Sequence, residues 1–152
     1  MKVRLFLTLA GVAISFAVPA LMAQDAMKAV MADEVVWKDD TLFKGVQIAN
    51  LLGDPAKAET VVMRVKFPPN FKIPLHTHPV QEVITVLSGT FWDAMGDDTE
   101  KGMMLKPGSL LMLPANHTHR VWTTDEETII QLSYTGPFDI TFINPADDPR
   151  KK

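Results

Sequence analysis

Apolar and polar residues alternate along most of this chain in short runs, as they do in half-buried β-strands. In residues 59–67, ETVVMRVKF, the apolar side chains Val61, Met63, Val65 and Phe67 occupy every second position. Successive side chains of a strand point to opposite faces, so this alternation predicts one buried face. Eight further short runs are rich in Val, Ile, Thr and aromatic residues: 34–38, 44–52, 82–89, 90–95, 109–114, 119–124, 127–134 and 139–144.

Turn-forming residues separate these runs, in the segments GDP, PPN, GDD, KPG, PAN and TGP. Glycine, proline, asparagine and aspartate each favour tight turns. Short strands with turns between them, and no long helical period after residue 24, predict an all-β sandwich or barrel. We expect a flexible leader at 24–33, the barrel at 34–144 and a polar surface tail at 145–152.

The N-terminus follows a different pattern. MKVR is a short basic start, an uncharged apolar run covers residues 5–22, and small residues precede Gln24. This is the composition of a secretory signal peptide, and we expect cleavage after Ala20 or Ala23. A retained membrane anchor is the alternative. The prediction is a signal peptide at 1–23 and a periplasmic or secreted protein without membrane contact after cleavage.

Length and composition narrow the classes of function. The chain has 152 residues, enough for one domain with a sizeable core, and a formal net charge of −3. That charge gives no reason to expect nucleic acid or an anionic membrane as a partner. Cysteine is absent, so disulfides and thiolate metal sites are excluded.

Residues 76–82, HTHPVQE, concentrate metal-binding side chains in an otherwise apolar chain. His76 and His78 are two apart, so in an extended strand they project from one face. Glu82 opens the apolar run EVITVLSG, where an ionised carboxylate is costly to bury unless a positive group meets it. A fourth candidate, His119, lies at the start of a later strand, after GSLLMLPANHT, and there we expect the run 109–114 to be a buried strand.

Other interpretations of these side chains exist. HxH alone also occurs on ordinary surfaces. Glu82 could pair with Arg64 instead of a metal, and His117 could share the face of His119. We expect His117 to lie exposed in the turn 114–118.

The first segment resembles the first motif of the cupin family, G-x5-H-x-H-x3,4-E-x6-G. The spacing from His76 through His78 and Glu82 to Gly89 matches it. Asn70 stands in place of the opening glycine, and asparagine also tolerates a left-handed backbone.

The second segment resembles the second cupin motif, G-x5-P-x-G-x2-H-x3-N. Gly108, Pro114 and His119 match in spacing, whereas Asn116 replaces a glycine and Thr123 replaces the final asparagine. These departures fall at turn positions and leave the ligand positions intact. The resemblance covers roughly residues 58–135.

The resemblance implies a double-stranded β-helix, the jelly-roll barrel of cupins. It also implies one divalent transition metal held by His76, His78, Glu82 and His119, with positions left open. Imidazole and carboxylate suit Fe, Mn, Cu, Ni or Zn, not an all-oxygen calcium cage. A homodimer is expected on the same resemblance, through the N-terminal strands around 34–52.

Several side chains are candidates to line the barrel interior, with Gln131 and Tyr134 expected to form hydrogen bonds around the metal site. The set is Phe71, Trp92, Met63, Met112, Ile84, Val121, Trp122, Gln131 and Tyr134.

The expected function is a metal-dependent oxygenase acting on a small organic molecule, because such a site has room for both substrate and O₂. Glu82 would accept a proton if it leaves the metal. An isomerase or lyase would use the same ligands with the metal as a Lewis acid. A non-catalytic module that binds or senses a metal or small ligand is the alternative from another class.

Overall fold

The protein folds as two antiparallel β-sheets packed face to face. The computed structural model describes residues 27–96 and 102–151, so the expected signal peptide lies outside the described residues. None of the described residues forms a helix long and apolar enough to cross a membrane. In chain order the strands are β1 (Lys38–Asp39), β2 (Gln47–Leu52), β3 (Thr60–Phe67), β4 (Lys72–Thr77), β5 (Glu82–Ser88), β6 (Phe91–Met95), β7 (Met103–Leu105), β8 (Leu110–Leu113), β9 (His119–Thr123), β10 (Thr128–Thr135) and β11 (Thr141–Phe142). Short 3₁₀ turns occupy Ala32–Glu34, Pro145–Asp147 and Pro149–Lys151.

Strands distant in sequence are neighbours in both sheets. The six-stranded sheet has the order β1-β2-β3-β10-β5-β8, and the five-stranded sheet has the order β11-β4-β9-β6-β7. Strands β3 and β10 pair along their full lengths, from Thr128 opposite Phe67 to Thr135 opposite Thr60. This jelly-roll arrangement confirms the predicted fold class.

The core lies between the inner faces of the two sheets. Alternation is regular in β10, where Thr128, Ile130, Leu132 and Tyr134 are buried and the residues between them are half-buried. The buried apolar side chains come from both sheets: Val46, Val61, Met63, Phe67, Ile73, Ile84, Val86, Phe91, Leu113, Val121, Ile130, Leu132, Tyr134, Ile140 and Phe142.

Four turn positions of the two cupin motifs have left-handed backbones. Asn70 and Asn116 have φ angles of 57° and 60°, and Gly89 and Gly108 have φ angles of 73° and 89°. Left-handed backbone strains most L-residues but is accessible to glycine and, more than most, to asparagine. The two asparagines therefore preserve the turns in which they replace glycine.

Thr123, the other departure from the second motif, is also used structurally. Its buried hydroxyl donates a hydrogen bond to the carbonyl of Pro68 at 2.9 Å and accepts one from the amide of Phe71 at 3.0 Å. Thr123 thereby fastens the turn that leads into β4.

Four strand predictions were incomplete. The runs found in the sequence include neither Lys72–Thr77 nor Met103–Leu105, because Pro74 interrupts the first and the second has only three residues. Of run 34–38 only Lys38 lies in a strand, β1, and Glu34 ends a 3₁₀ turn; of run 139–144 only the two residues of β11 form a strand. These segments lack the length or the regular alternation that identifies a strand.

The prediction of a buried strand at 109–114 was wrong for most of its residues. Strand β8 is the edge of the six-stranded sheet, and Leu110 and Met112 are 64% and 56% exposed. Only Leu113 of this strand is buried. A continuous apolar run cannot reveal whether a strand lies in the centre or at the edge of a sheet.

Several residues expected inside the barrel lie on its outer faces. Trp92 and Trp122 are cross-strand partners whose rings stack at 5.5 Å between centroids, on the face opposite the buried Val121. Gln131 accepts a hydrogen bond from Arg64 at 3.4 Å on the outer side of β10 and β3. Met112 is exposed as well. Successive residues of a strand point to opposite faces, so these side chains face outward while their neighbours in the same strand face inward.

The C-terminal tail is fastened to the barrel. The guanidinium of Arg150 donates to both carboxylate oxygens of Asp148, at 2.8 and 3.0 Å. It also donates to the carbonyl of Ile140 at 3.0 Å. The tail is thus held against the loop that precedes β11.

The turn at Gly89 provides a test of the fold. A Cβ at this position would lie 2.5 Å from the Glu127 carbonyl oxygen and 2.5 Å from the Thr128 hydroxyl oxygen. Gly89→Ala is therefore expected to lower the free energy of unfolding by about 3 to 5 kcal/mol, through left-handed strain plus overpacking. Urea denaturation measures the loss.

Gly108→Ala is the matched control. Gly108 also has a positive φ, but a Cβ there would meet nothing within 4 Å. The control should lose only about 1 to 2 kcal/mol, the strain of a left-handed alanine. Equal losses in the two variants would contradict the close approach at Gly89.

Candidate metal centre

His76 and His119 face each other across two neighbouring strands. They are cross-strand partners in β4 and β9, and both side chains are buried. Their ring centroids lie 4.2 Å apart. Side chains of a directly opposite pair share one face of the sheet, so the register of β4 on β9 brings these two imidazoles together.

A β-bulge at Pro74 sets the phase of the histidines. Between Ile73 and His76 strand β4 has three steps, whereas β9 has two between Val121 and His119. Proline has no N–H to donate to the ladder, and such an extra residue changes which side chains face inward. Ile73 and His76 are consequently both buried although they are three apart.

The bulge also supplies a partner for His76. Its Nδ1 lies 2.7 Å from the carbonyl oxygen of Pro74. A carbonyl oxygen can only accept, so Nδ1 carries the proton and Nε2 has a free lone pair.

His78 is held in the same manner by a different element. Its Nδ1 donates to the carbonyl of Asp139 at 2.7 Å, in the loop before β11. Its ring stacks on Phe138 at 4.5 Å between centroids. The backbone carbonyl of His78 accepts from the amide of Asn116 at 2.7 Å, which joins the two motif turns.

His119 is held by a carboxylate that the sequence analysis missed. Its Nδ1 lies 2.8 Å from Oδ2 of Asp93, a fully buried residue of β6. Asp93 pairs with Val121 in the ladder and therefore shares the face of His119. The alternation in FWDAM could have identified Asp93. It places Asp93 on the same face as the apolar Phe91, and a carboxylate on a buried face needs a polar partner there.

Glu82 faces the histidines from the opposite sheet. Its carboxylate oxygens lie 3.8 Å from Nε2 of His78 and 3.7 Å from Nε2 of His119. Glu82 is the first residue of β5 and is buried. The cluster therefore joins the two layers of the barrel.

Burial favours the neutral form of each of these groups. Desolvation, reinforced by the neighbouring histidines, lowers the pKa of His76 to about 3. Desolvation likewise lowers the pKa of His78 to about 4, partly opposed by its bond to Asp139. For Glu82 desolvation raises the pKa to about 7, partly opposed by His119.

The three imidazoles fit a shared metal ion. One ligand atom from each of His76, His78 and His119 lies within 4.8 Å of the others. Two ligands about 2.1 Å from one ion stand roughly 3.0 to 3.4 Å apart, so a small inward movement suffices. Nε2 of His119 is moreover buried without a hydrogen-bond partner among the described residues, as a nitrogen reserved for a metal would be.

The cluster forms part of the wall of a cavity of about 460 Å³. That volume suits a small organic molecule. The wall is mainly apolar and aromatic, with Phe43, Phe91, Phe138 and Tyr134 among its side chains. Its expected members Met63, Ile84 and Val121 also line it, whereas Phe71 packs at the edge of the core.

Arg64 and His117, the side chains with alternative roles, both lie apart from the cluster. Arg64 bonds to Gln131 on the outer face and is not the partner of Glu82. His117 lies in the turn before β9 and is not part of the histidine cluster, but it is half-buried, so the expectation that it lies exposed was wrong. The structure thus brings together His76, His78, Glu82 and His119, while their role as metal ligands stays a prediction.

Comparison with known families shows which family the chain belongs to. The sequence profile of the ChrR cupin-like domain matches residues 25–139. The chain belongs to this cupin family. The cupin motifs recognised above fall within the matched region. No curated protein matches the chain in sequence.

Solved structures share the fold at low identity. The polyketide cyclase RemF from Streptomyces resistomycificus is 20% identical, with a TM-score of 0.67 over 83% of this chain and 92% of its own. The DMSP lyase DddQ from Ruegeria pomeroyi DSS-3 is 20% identical, with a TM-score of 0.60 over 74% of this chain and 63% of its own. A cupin-2 domain protein from Rhodospirillum rubrum is 15% identical, with a TM-score of 0.61 over 80% and 84%.

Asp93→Asn tests the support of His119. The change keeps the size of the side chain but removes the carboxylate that accepts from Nδ1 and orients the imidazole. Such supporting partners typically contribute 10- to 100-fold to metal affinity, so we expect a loss in that range, measured by competition with a chromophoric chelator.

Asp54→Asn is the matched control, because Asp54 pairs with Lys57 on the surface. It should leave the affinity unchanged. An Asp93→Asn protein that binds metal as tightly as the wild type would contradict the role given to Asp93.

Proposed function

We propose that the protein is a metal-dependent enzyme that acts on a small, largely apolar organic molecule by proton transfer. The chemistry expected is that of a lyase, isomerase or cyclase. One divalent transition metal would be held by His76, His78 and His119, with Glu82 as the fourth ligand.

One observation carries this proposal. Three imidazole nitrogens with free lone pairs and one carboxylate converge on the wall of a mainly apolar cavity. Each Nδ1 is engaged by a different partner, so the Nε2 atoms are already in the form that binds metal.

The bound ion would supply Lewis acidity, polarising an oxygen of the substrate. Glu82 is the residue placed to move a proton. Its carboxyl is buried in the wall of the cavity, and it would accept a proton on leaving the metal.

The walls of the cavity restrict the substrate. Phe67, Phe91 and Phe138 line it, and the charged side chains in its wall besides Glu82 are Asp40, Asp139 and Arg150. A cavity of this size and polarity favours a compact molecule with an apolar body and one or two oxygen atoms that reach the metal.

The solved structures also support proton-transfer chemistry on a small molecule. Two proteins that share the fold are named as a polyketide cyclase and a DMSP lyase. At 20% identity these names do not establish which activity this chain has. They are compatible with proton transfer on small oxygen-containing molecules.

Oxygenase chemistry, the expectation from the sequence, is the second candidate. The observation that favours it is the ligand set itself, since three histidines and one carboxylate leave adjacent positions open on a redox-active ion. The two candidates differ in whether O₂ and a redox-active metal are required.

Metal content is the first test. The purified protein should bind about one equivalent of divalent metal, measured by elemental analysis after reconstitution. His76→Ala/His119→Ala should bind none, while circular dichroism verifies that the variant is folded. A folded wild-type protein that retains no metal would contradict the proposal.

Turnover is the second test, on protein loaded separately with Zn²⁺, Mn²⁺ or Fe²⁺. A panel of small aromatic and aliphatic carbonyl compounds is followed by NMR with and without oxygen. Conversion by the zinc form without oxygen supports proton transfer, and Glu82→Gln should then lower kcat roughly 100-fold or more. Conversion that needs both Fe²⁺ and O₂ supports the oxygenase, and metal binding without any conversion supports a binding module.

We further propose that the protein is exported. The basic start, the apolar run at 5–22 and the small residues before Gln24 support this. Mass spectrometry of protein released from the periplasm of an expressing bacterium should give an N-terminus at Leu21 or Gln24. Protein that retains Met1 in the membrane fraction would contradict cleavage. The expected homodimer through residues 34–52 stays a prediction.

A further inference from the structure

Tyr134 is a buried hydrogen-bond donor with a poor acceptor. It is the one tyrosine of the sequence and is 5% exposed, on the inward face of β10. Its hydroxyl donates to the sulfur of Met63 at 3.5 Å. A thioether is a weak acceptor, so this buried hydroxyl is unusual in a core where polar groups are normally well paired.

The position of Tyr134 connects it to the histidine cluster. Its ring packs on Phe138 at 4.6 Å between centroids, and Phe138 stacks in turn on His78 at 4.5 Å. Tyr134 and Glu82 line the same cavity. The phenol and the histidine cluster are thus parts of the wall of one cavity.

The phenol keeps its proton under physiological conditions. Burial, followed by the charge of Glu82, raises the pKa of Tyr134 to about 12. Tyr134 is thus available as a donor and not as a phenolate.

A purely structural role explains the ring but not the hydroxyl. Phenylalanine would pack equally well against Phe138 and would not require a partner for a buried O–H. A hydrogen bond to sulfur stabilises little compared with the cost of desolvating a hydroxyl. The hydroxyl is better explained by an acceptor that arrives with a ligand.

We propose that Tyr134 is a substrate-binding residue whose hydroxyl leaves Met63 and donates a hydrogen bond to an oxygen of the molecule bound at the metal. This inference rests on the proposed function and narrows its substrate class. The substrate would be a compact, largely apolar molecule with a carbonyl, carboxylate or related oxygen group between the histidines and Tyr134.

The test uses benzohydroxamate, an apolar ring bearing two oxygen atoms that chelate transition metals. Zinc affinity and probe affinity are measured separately by isothermal titration calorimetry for the wild type, Tyr134→Phe and Ser133→Ala. Ser133 is the control, because it loses a hydroxyl from the same strand but on the outer side of the sheet. Wild-type protein is also labelled with 3-fluorotyrosine, which gives a single ¹⁹F resonance since the chain has one tyrosine.

We expect Tyr134→Phe to keep the wild-type zinc affinity and melting temperature but to bind the probe roughly tenfold or more weakly, the loss of one hydrogen bond to a charged acceptor. Ser133→Ala should match the wild type in both affinities. The ¹⁹F resonance should shift when the probe is added to the zinc-loaded protein.

Equal probe affinities in the wild type and Tyr134→Phe would overturn the role of Tyr134 and leave the metal-enzyme proposal intact. Failure of the wild type to bind zinc, or of its zinc form to bind the probe, would instead overturn the proposed function and this inference with it. If Tyr134→Phe does not fold, the ¹⁹F experiment decides, and a resonance that is unmoved at saturating probe overturns the proposal.

Discussion

The structure depends on burying three imidazoles side by side without leaving their ring nitrogens unsatisfied. Each Nδ1 is bound by a group from a different part of the chain: the Pro74 carbonyl in β4, the Asp139 carbonyl before β11 and the Asp93 carboxylate in β6. Since buried polar groups without partners are costly, these three bonds fix the tautomers and the directions of the rings. What remains unpaired is the side of each ring that faces the cavity.

This arrangement depends on strand phase, that is, on which residues of each strand face the interior. A slip of one residue would turn the inward side chains of β4 or β9 to the outside. The bulge at Pro74 places His76 in the buried phase, and the left-handed turns at Asn70 and Asn116 lie at the beginnings of the segments that carry the histidines. The amide of Asn116 also binds the carbonyl of His78 directly. The turn residues of the two motifs therefore serve the site as well as the fold.

The sequence predicted the fold and the four clustered side chains because both depend on short-range patterns of residues. Alternation identified most of the strands, and the spacing of the two cupin motifs identified His76, His78, Glu82 and His119. The motif spacing did not identify Asp93, because this residue reaches His119 only through the pairing of β6 with β9. The same dependence explains why Met112 and the two stacked tryptophans were expected in the interior, and Gln131 in a hydrogen bond near the metal site. Only the strand phase shows that these side chains face outward.

A single physical cause connects the metal-binding and the proton-transfer properties of the site. Desolvation lowers the pKa of His76 and His78, and it raises the pKa of Glu82 and Tyr134. The same apolar walls thus keep His76 and His78 neutral, as metal ligands must be, and they keep the proton on the phenol of Tyr134. A Glu82 carboxylate that leaves the metal would take up a proton readily for the same reason. Because the cavity is lined mainly by apolar and aromatic side chains, hydrogen bonds and charges at its wall act at a lower effective dielectric constant than in solution. A site that needed only to store a metal ion would require the histidines and Asp93 but not the mainly apolar cavity beside them, and that is the strongest reason to look for a substrate.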